Sequence, residues 1–365
     1  MEQPTREQIT EALGKVIDPE LKRPVTELDM VREVHVEGGK VAVTIALTVA
    51  GCPLRSSFED QVNEHVLPLP GVDMVSLAFE VMSPDERAAL TAKLRGSVTG
   101  RSKGISVDAS TRVLAVASGK GGVGKSTLSV NLAAAFDRLG QRTGILDADV
   151  YGHSIPHMLG VTQRPVVVDK MIVPPVRGDL KLMSIGFFLD ENAPVMWRGP
   201  MLHRALEQFL SDVHWGELDT LVVDMPPGTG DVSISLGQLL PRAEAVVVTT
   251  PQPAAQLVAV RAAQMAQKTG MRLIGAVENM SYLVGTGQEL FGAGGGEALA
   301  GAIDAPLLGR IPFDPSLRES ADSGEPLVWA NPENETARTI VELAEAITAT
   351  GIEPGRVKKP LPLVS

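Results

Sequence analysis

From Lys40 to Thr48 apolar and polar positions alternate. Val41, Val43, Ile45 and Leu47 share one face and Ala42, Thr44, Ala46 and Thr48 the other, which predicts a strand with one buried face. A preceding strand, VREVHVE, joins it through Gly38 and Gly39, a pair suited to the positive φ angles of a tight turn. Helical spacing follows, with Leu54, Phe58, Val62 and Val66 near one turn apart, and then VDMVSLAFEV predicts a third strand. The order helix, strand, strand, helix, strand over residues 1–94 predicts a small α/β domain with its helices on one face of the sheet.

Residues 95–111, RGSVTGRSKGISVDAST, are rich in Gly and Ser and predict a flexible linker. From Arg112 the pattern changes to β-branched apolar runs separated by helix-length segments. The runs are RVLAVAS, RTGILDAD, LKLMSIGF, LDTLVVDM, AEAVVVTTP, RLIGAVEN and APLLGRIP. Such runs predict a mostly parallel, doubly wound sheet covered on both faces across residues 112–350. The tail 351–365 contains Pro, is mildly basic and is expected to be mobile.

Composition narrows the function. At 365 residues and 44% hydrophobic content the chain has material for a large core and about two domains. A net charge of -11 argues against a phosphate-backbone binder, and 4% aromatics leave few platforms for stacking bases, so no nucleic-acid partner is expected. No run of about 18 apolar residues occurs and MEQPTREQIT has no apolar core, so the expectation is a cytoplasmic protein without a membrane partner. The single cysteine, Cys52, excludes an intrachain disulfide and is compatible with a reducing compartment.

The strongest chemical signal is VASGKGGVGKST, Val116 to Thr127. Gly119 to Ser126 fits G-x-x-x-x-G-K-S between a predicted strand and a predicted helix, the arrangement of an ATP-binding phosphate loop. Gly119, Gly121, Gly122, Val123 and Gly124 would wrap phosphate with backbone N–H groups, continuing into Ser126 and Thr127 at the helix start. Lys125 would reach the β and γ phosphates and Ser126 would ligate Mg2+. Asp147 and Asp149 end a strand at the carboxyl edge of the sheet, where one carboxylate would order Mg2+ waters and the other orient an attacking water. Asp224 follows four apolar strand residues, the placement for Mg2+ binding through water. Pro226, Pro227 and Gly228 would form a rigid loop sensing the γ phosphate, with Asp231 read as a helix cap. Asn279 follows a strand, where its amide could meet the adenine edge.

GKGGVGKST resembles the deviant Walker A loop of the ParA/MinD/nitrogenase iron protein superclass. That resemblance implies that Lys120 reaches across a nucleotide-sandwich homodimer to the other subunit's phosphates, like an arginine finger in trans. It also implies that Asp149 orients the water, Asp147 belongs to the metal shell and Asn279 contacts the base. DADVYGHSIPHMLG, VMWRGPMLHRAL, VVDMPPGTGD, VVVTTPQ and VENMSYL together resemble the Mrp/ApbC family of iron–sulfur cluster carrier ATPases over most of residues 112–350. VIDPEL and LTVAGCPLRSSFEDQV resemble the small iron–sulfur assembly domain fused to the front of many such proteins. These resemblances imply an ATPase that carries clusters to apoprotein clients.

One departure weighs against the usual cluster site. Many family members carry C-x-x-C shortly after the ENMSY motif, whereas ENMSYLVGTGQELFGAGGG contains no cysteine. Cys52 could give one thiolate per subunit toward a cluster, or be a small buried hydrophobe. The alternatives are a cluster-free ATPase scaffold acting as a partner-binding chaperone, and a MinD- or ParA-like positioning ATPase. His153 and His157 are four apart, but Pro156 between them favours loop structure over a metal pair. GAGGGEALAGAI reads as a Gly-rich helix entry and Trp197 as packing.

Overall fold

A computed structural model describes residues 4–49, 55–96, 107–150, 152–189 and 199–350. The N-terminal unit opens with α1 (Arg6–Leu13), started by Thr5. The Thr5 hydroxyl accepts from the Gln8 backbone N–H at 3.2 Å, and the Gln8 side chain accepts from the Thr5 N–H at 2.8 Å. Then come β1 (Val31–Glu37), β2 (Lys40–Leu47), α2 (Arg55–Val66), β3 (Met74–Val81) and α3 (Pro84–Gly96). β1 and β2 run antiparallel around Gly38 and Gly39, at φ 54° and 81°, and β3 adds parallel to β2. Val41, Val43 and Ile45 bury one sheet face against Ile9, Leu13, Phe58, Val62 and Val66. The expected order is present, with α3 an additional helix.

The larger unit runs β4 (Arg112–Ser118), α4 (Lys125–Arg138), β5 (Thr143–Asp147), α5 (Ile155–Met158), β6 (Val166–Val168), β7 (Met171–Val173), β8 (Val176–Arg177) and β9 (Leu180–Ser184). It continues α6 (Gly199–Ser211), β10 (Thr220–Asp224), α7 (Asp231–Leu239), β11 (Glu244–Thr249), α8 (Pro253–Lys268), β12 (Arg272–Leu283), α9 (Gly295–Ile303) and β13 (Leu307–Phe313). Helices α10 (Pro315–Ser323), α11 (Leu327–Ala330) and α12 (Glu335–Ala349) complete it. Its eight-stranded sheet has the order β13-β12-β11-β4-β10-β5-β9-β8, and only the β8–β9 edge pair is antiparallel. Residues 220–224, 143–147 and 244–249 are buried throughout, as strands covered on both faces must be. All seven apolar runs singled out in the sequence lie on strands of this sheet.

From β4 the chain moves outward to β5 on one side, while the β10 connection returns across it to β11 on the other. The carboxyl end of β4 is therefore a topological switch point, where open α/β sheets bind ligands.

One hairpin crosses the division drawn from sequence. β6 and β7 pair antiparallel, and Val168, Met171 and Val173 are buried in the core of the N-terminal unit. The Thr91 hydroxyl on α3 donates to the Val168 carbonyl at 3.3 Å, and Lys22 pairs with Asp179 at 2.7 Å. On its other side the hairpin is anchored to the larger unit. Ile172 N–H donates to Asp212 O at 2.9 Å and His214 N–H to Ile172 O at 2.7 Å.

Candidate functional site

The phosphate loop sits where β4 hands the chain to α4. Gly122 and Gly124 both have φ 79°, a conformation that side chains with a Cβ resist. Gly119 is required for a different reason. A Cβ there would lie 2.2 Å from the Val258 backbone carbon on α8, so the loop is pressed against a neighbouring helix. At Gly121 and Gly122 an added Cβ would meet nothing within 4 Å, so this side of the loop opens outward.

Strand register sets the acids. Asp224 at the end of β10 is paired in register with Asp147 at the end of β5 and with Val116 on β4, which gathers both carboxylates behind the loop. Both are fully buried, and Lys125 is 6% exposed. Lys125 Nζ donates to Asp224 Oδ2 at 2.7 Å and lies 3.8 Å from Asp149 Oδ2. Ser126 Oγ donates to the same Asp224 oxygen at 2.7 Å. Asp149 is held by the Gly152 N–H, which donates to its Oδ1 at 3.1 Å. Burial, and then the negative charge of Asp224, push the Asp147 carboxyl well above the usual carboxylate range, against the Ser184 hydroxyl, Lys125 and the Asp149 N–H.

Two hydroxyls that sequence reading passed over complete this arrangement. Ser129, one turn along α4, donates to Asp224 Oδ1 at 2.6 Å, and Ser184 at the end of β9 donates to Asp147 Oδ2 at 2.8 Å. Ser129 lies three positions after Ser126, on the same helix face, and that spacing was its one available signal. Ser184 reaches Asp147 because β9 pairs with β5 in the register Asp147↔Ser184, which the sequence does not display.

Other expected residues fall as follows. Lys120 is exposed, and among the described residues no carboxylate lies within ion-pair distance of its ammonium. Asn279 is buried, and its Nδ2 donates to the Val123 carbonyl at 2.8 Å. This bond ties β12 to the phosphate loop. Asp231 is not the cap of α7. Gly230 holds that position without a side-chain bond, and Asp231 lies one residue inside, where its charge still favours the helix start. The Gly228 N–H donates to the Ser118 carbonyl at 2.8 Å, tying the 226–228 loop to the phosphate loop. His157 is in the single turn α5, while the His153 ring contacts the Val150 carbonyl at 3.3 Å. The start of α9 is occupied internally, since Gly296 N–H donates to Glu278 Oε2 at 2.5 Å. Cys52, Trp197 and Arg198, the linker core 97–106 and the tail 351–365 lie outside the described residues.

The arrangement fits Mg2+ accompanying a nucleotide. Asp149 and Asp224 against Lys125 give a formal charge of -2 + 1 = -1, and a divalent cation beside them would also favour release of the proton that burial and Asp224 hold on Asp147. Among the described residues no group of three or more His, Cys, Asp or Glu is placed to chelate a metal alone. A phosphate-loop magnesium needs no such group, because one hydroxyl, phosphate oxygens and water fill its coordination sphere.

Comparison with known proteins agrees with this geometry. Residues 109–348 match the model of the NUBPL iron-transfer P-loop NTPase family, and residues 6–77 match an iron–sulfur cluster assembly protein domain. The iron–sulfur cluster carrier protein of Mycobacterium bovis is 51% identical over 353 residues, covering 93% of this chain and 92% of its own length. Its namesake in Bacillus subtilis is 43% identical over 84% of this chain and 88% of its own. Among solved structures, a nucleotide-binding protein from Archaeoglobus fulgidus in complex with ADP is 38% identical with a TM-score of 0.51, covering 58% of this chain and 86% of that one. The cell division ATPase MinD of Pyrococcus furiosus superposes with a TM-score of 0.54 at 25% identity, over 66% of this chain and 99% of its own. With its phosphate loop at the switch point, its paired strand-end carboxylates and an assembly-type unit in front, the chain belongs to the NUBPL iron-transfer P-loop NTPase family.

Proposed function

We propose that this chain is an ATP-hydrolysing iron–sulfur cluster carrier that works as a nucleotide-sandwich homodimer in the cytoplasm and delivers clusters to apoprotein clients. The observation that carries the reading is the contrast between its two loop lysines. Lys125 is buried against Asp224 of its own subunit, while Lys120 projects from the same loop into solvent.

Lys125 and the loop N–H groups bind the phosphates, and Ser126 with Asp224 and Asp147 holds the magnesium shell, whose ion would neutralise charge on the phosphates. Asp149, poised by Gly152, orients the attacking water. Asn279 fixes the loop backbone through Val123. Lys120 places its ammonium on the partner's phosphates, where charge develops as the γ phosphoryl leaves. Met201 on α6, Ile234 on α7 and Leu257 on α8 are exposed apolar side chains on three successive helices. They support a face that a second copy covers.

Cluster handling is supported by the assembly-type unit at residues 6–77 and by the carriers most of the chain resembles. Cys52 is the sole thiol, so a cluster shared across the dimer would draw one thiolate from each subunit.

Mixing tests the sandwich. Lys120→Ala and Lys125→Gln should each abolish hydrolysis, and only Lys120→Ala should retain ATP binding. Combined, they should regain part of the activity, because a Lys125→Gln subunit still offers Lys120 to the nucleotide held by its Lys120→Ala partner. Full activity of Lys120→Ala alone, or no recovery in a mixture shown to dimerise, contradicts the reading.

A further inference from the structure

A cavity of about 410 Å3 lies at the seam between the two units, against the amino-terminal edge of the large sheet and away from the phosphate loop. Lys22 and Arg23 line it from the N-terminal unit and Arg142 and Lys181 from the large one, against the three carboxylates of Asp137, Asp179 and Glu217, so the lining is cationic by one charge, 4 - 3 = +1. Its size falls in the range of small-molecule sites, roughly 300 to 1,000 Å3.

The four cations are not equivalent. Lys22 pairs with Asp179 at 2.7 Å, Arg23 with Glu27 at 3.2 Å, and Arg142 with Glu217 at 2.6 Å and Asp219 at 2.8 Å. Lys181 is 7% exposed and has no carboxylate in ion-pair range among the described residues. Its Nζ donates to the Trp215 carbonyl at 2.9 Å and the His214 carbonyl at 3.4 Å, so backbone dipoles hold the charge. An ammonium has three N–H donors, so one remains for a further acceptor. Gly216, at φ 64°, lets this turn wrap the charge, since a Cβ there would lie 3.0 Å from Nζ.

Buried lysines are rare unless paired. Burial, with Lys22 adding like charge, pushes the Lys181 ammonium down to about 8, consistent with a missing counter-anion. We infer that this cavity is a binding site for a small oxyanion, a carboxylate or phosphate group, that pairs with Lys181 and draws on the Lys22, Arg23 and Arg142 rim. The cavity walls come from both units, so an occupant would bridge them. Strand β9 carries Lys181 near one end and Ser184, the donor to Asp147, at the other.

The test is calorimetric titration of the full chain with citrate and, separately, inorganic phosphate, with MgADP saturating the phosphate loop. The site predicts binding of at least one probe. Citrate alone identifies a carboxylate site, and phosphate with or without citrate a phosphate-compatible one. Lys181→Met should weaken binding by roughly tenfold or more, the value of a lost charged hydrogen bond, while ADP affinity is unchanged. No binding of either probe, or equal affinity in Lys181→Met, overturns the inference. Should that variant fail to fold, acetylation footprinting of the wild-type chain decides. Lys181 must be protected by the bound anion with MgADP present throughout, and modification at an unchanged rate overturns the site.

Discussion

At the scale of single residues, the nucleotide site depends on side chains whose importance is invisible until strands are placed beside one another. Gly119, Lys125 and Ser126 are legible because their spacing is local to one loop. Ser129 and Ser184 are ordinary serines in sequence and become partners of Asp224 and Asp147 through helix phase and strand register. Ser129→Ala leaves a buried carboxylate oxygen without its donor and should cost about 1.5 to 3 kcal/mol of stability, read as a lowered denaturant midpoint with unchanged slope. An unshifted midpoint would remove Ser129 from this account.

A second residue-scale prediction concerns Glu20 in VIDPEL. Burial, and then the charge of neighbouring Asp18, raise its carboxyl from 4.5 to about 7. Between those values the folded chain keeps a proton that the unfolded chain has released, so Glu20 makes the fold less stable as pH rises through this window. Glu20→Gln should match the wild-type melting temperature near pH 4.5 and exceed it above pH 7. Parallel melting profiles across that range would contradict the assignment.

At the scale of elements, the strands of both sheets, apart from the two-residue edge strand β8, follow from alternation and apolar runs, which are local signals. The β6–β7 hairpin does not, because which core a three-residue strand joins is a long-range fact. The segment VVVDKMIV lies inside the larger unit by sequence, yet Val168, Met171 and Val173 pack with Ile9, Val43 and Phe58. Met171→Ala should therefore loosen the N-terminal unit, at a cost of about 2 to 5 kcal/mol. Faster amide hydrogen exchange at Val41, Val43 and Ile45 is the expected readout, although none neighbours Met171 in sequence. Exchange unchanged on β2 and accelerated only in the large sheet would refute the shared core.

At the scale of the whole molecule, that hairpin joins a nucleotide switch to an assembly-type unit. Asp149 lies before the hairpin and Ser184 after it, so the segment between them leaves the nucleotide site, enters the other unit's core and returns. A change of nucleotide that moves Asp149 or Asp147 thus has a covalent route to the unit containing Cys52. The sequence shows both modules and the absence of the C-x-x-C pair, but not this connection. The most direct measurement of the central claim is anaerobic reconstitution with iron and sulfide, followed by transfer to an apoprotein with and without MgATP. The account predicts iron and sulfide bound per dimer in the wild type, loss of both in Cys52→Ser, and delivery that changes with ATP. A wild-type dimer that retains no iron or sulfide after reconstitution would contradict it.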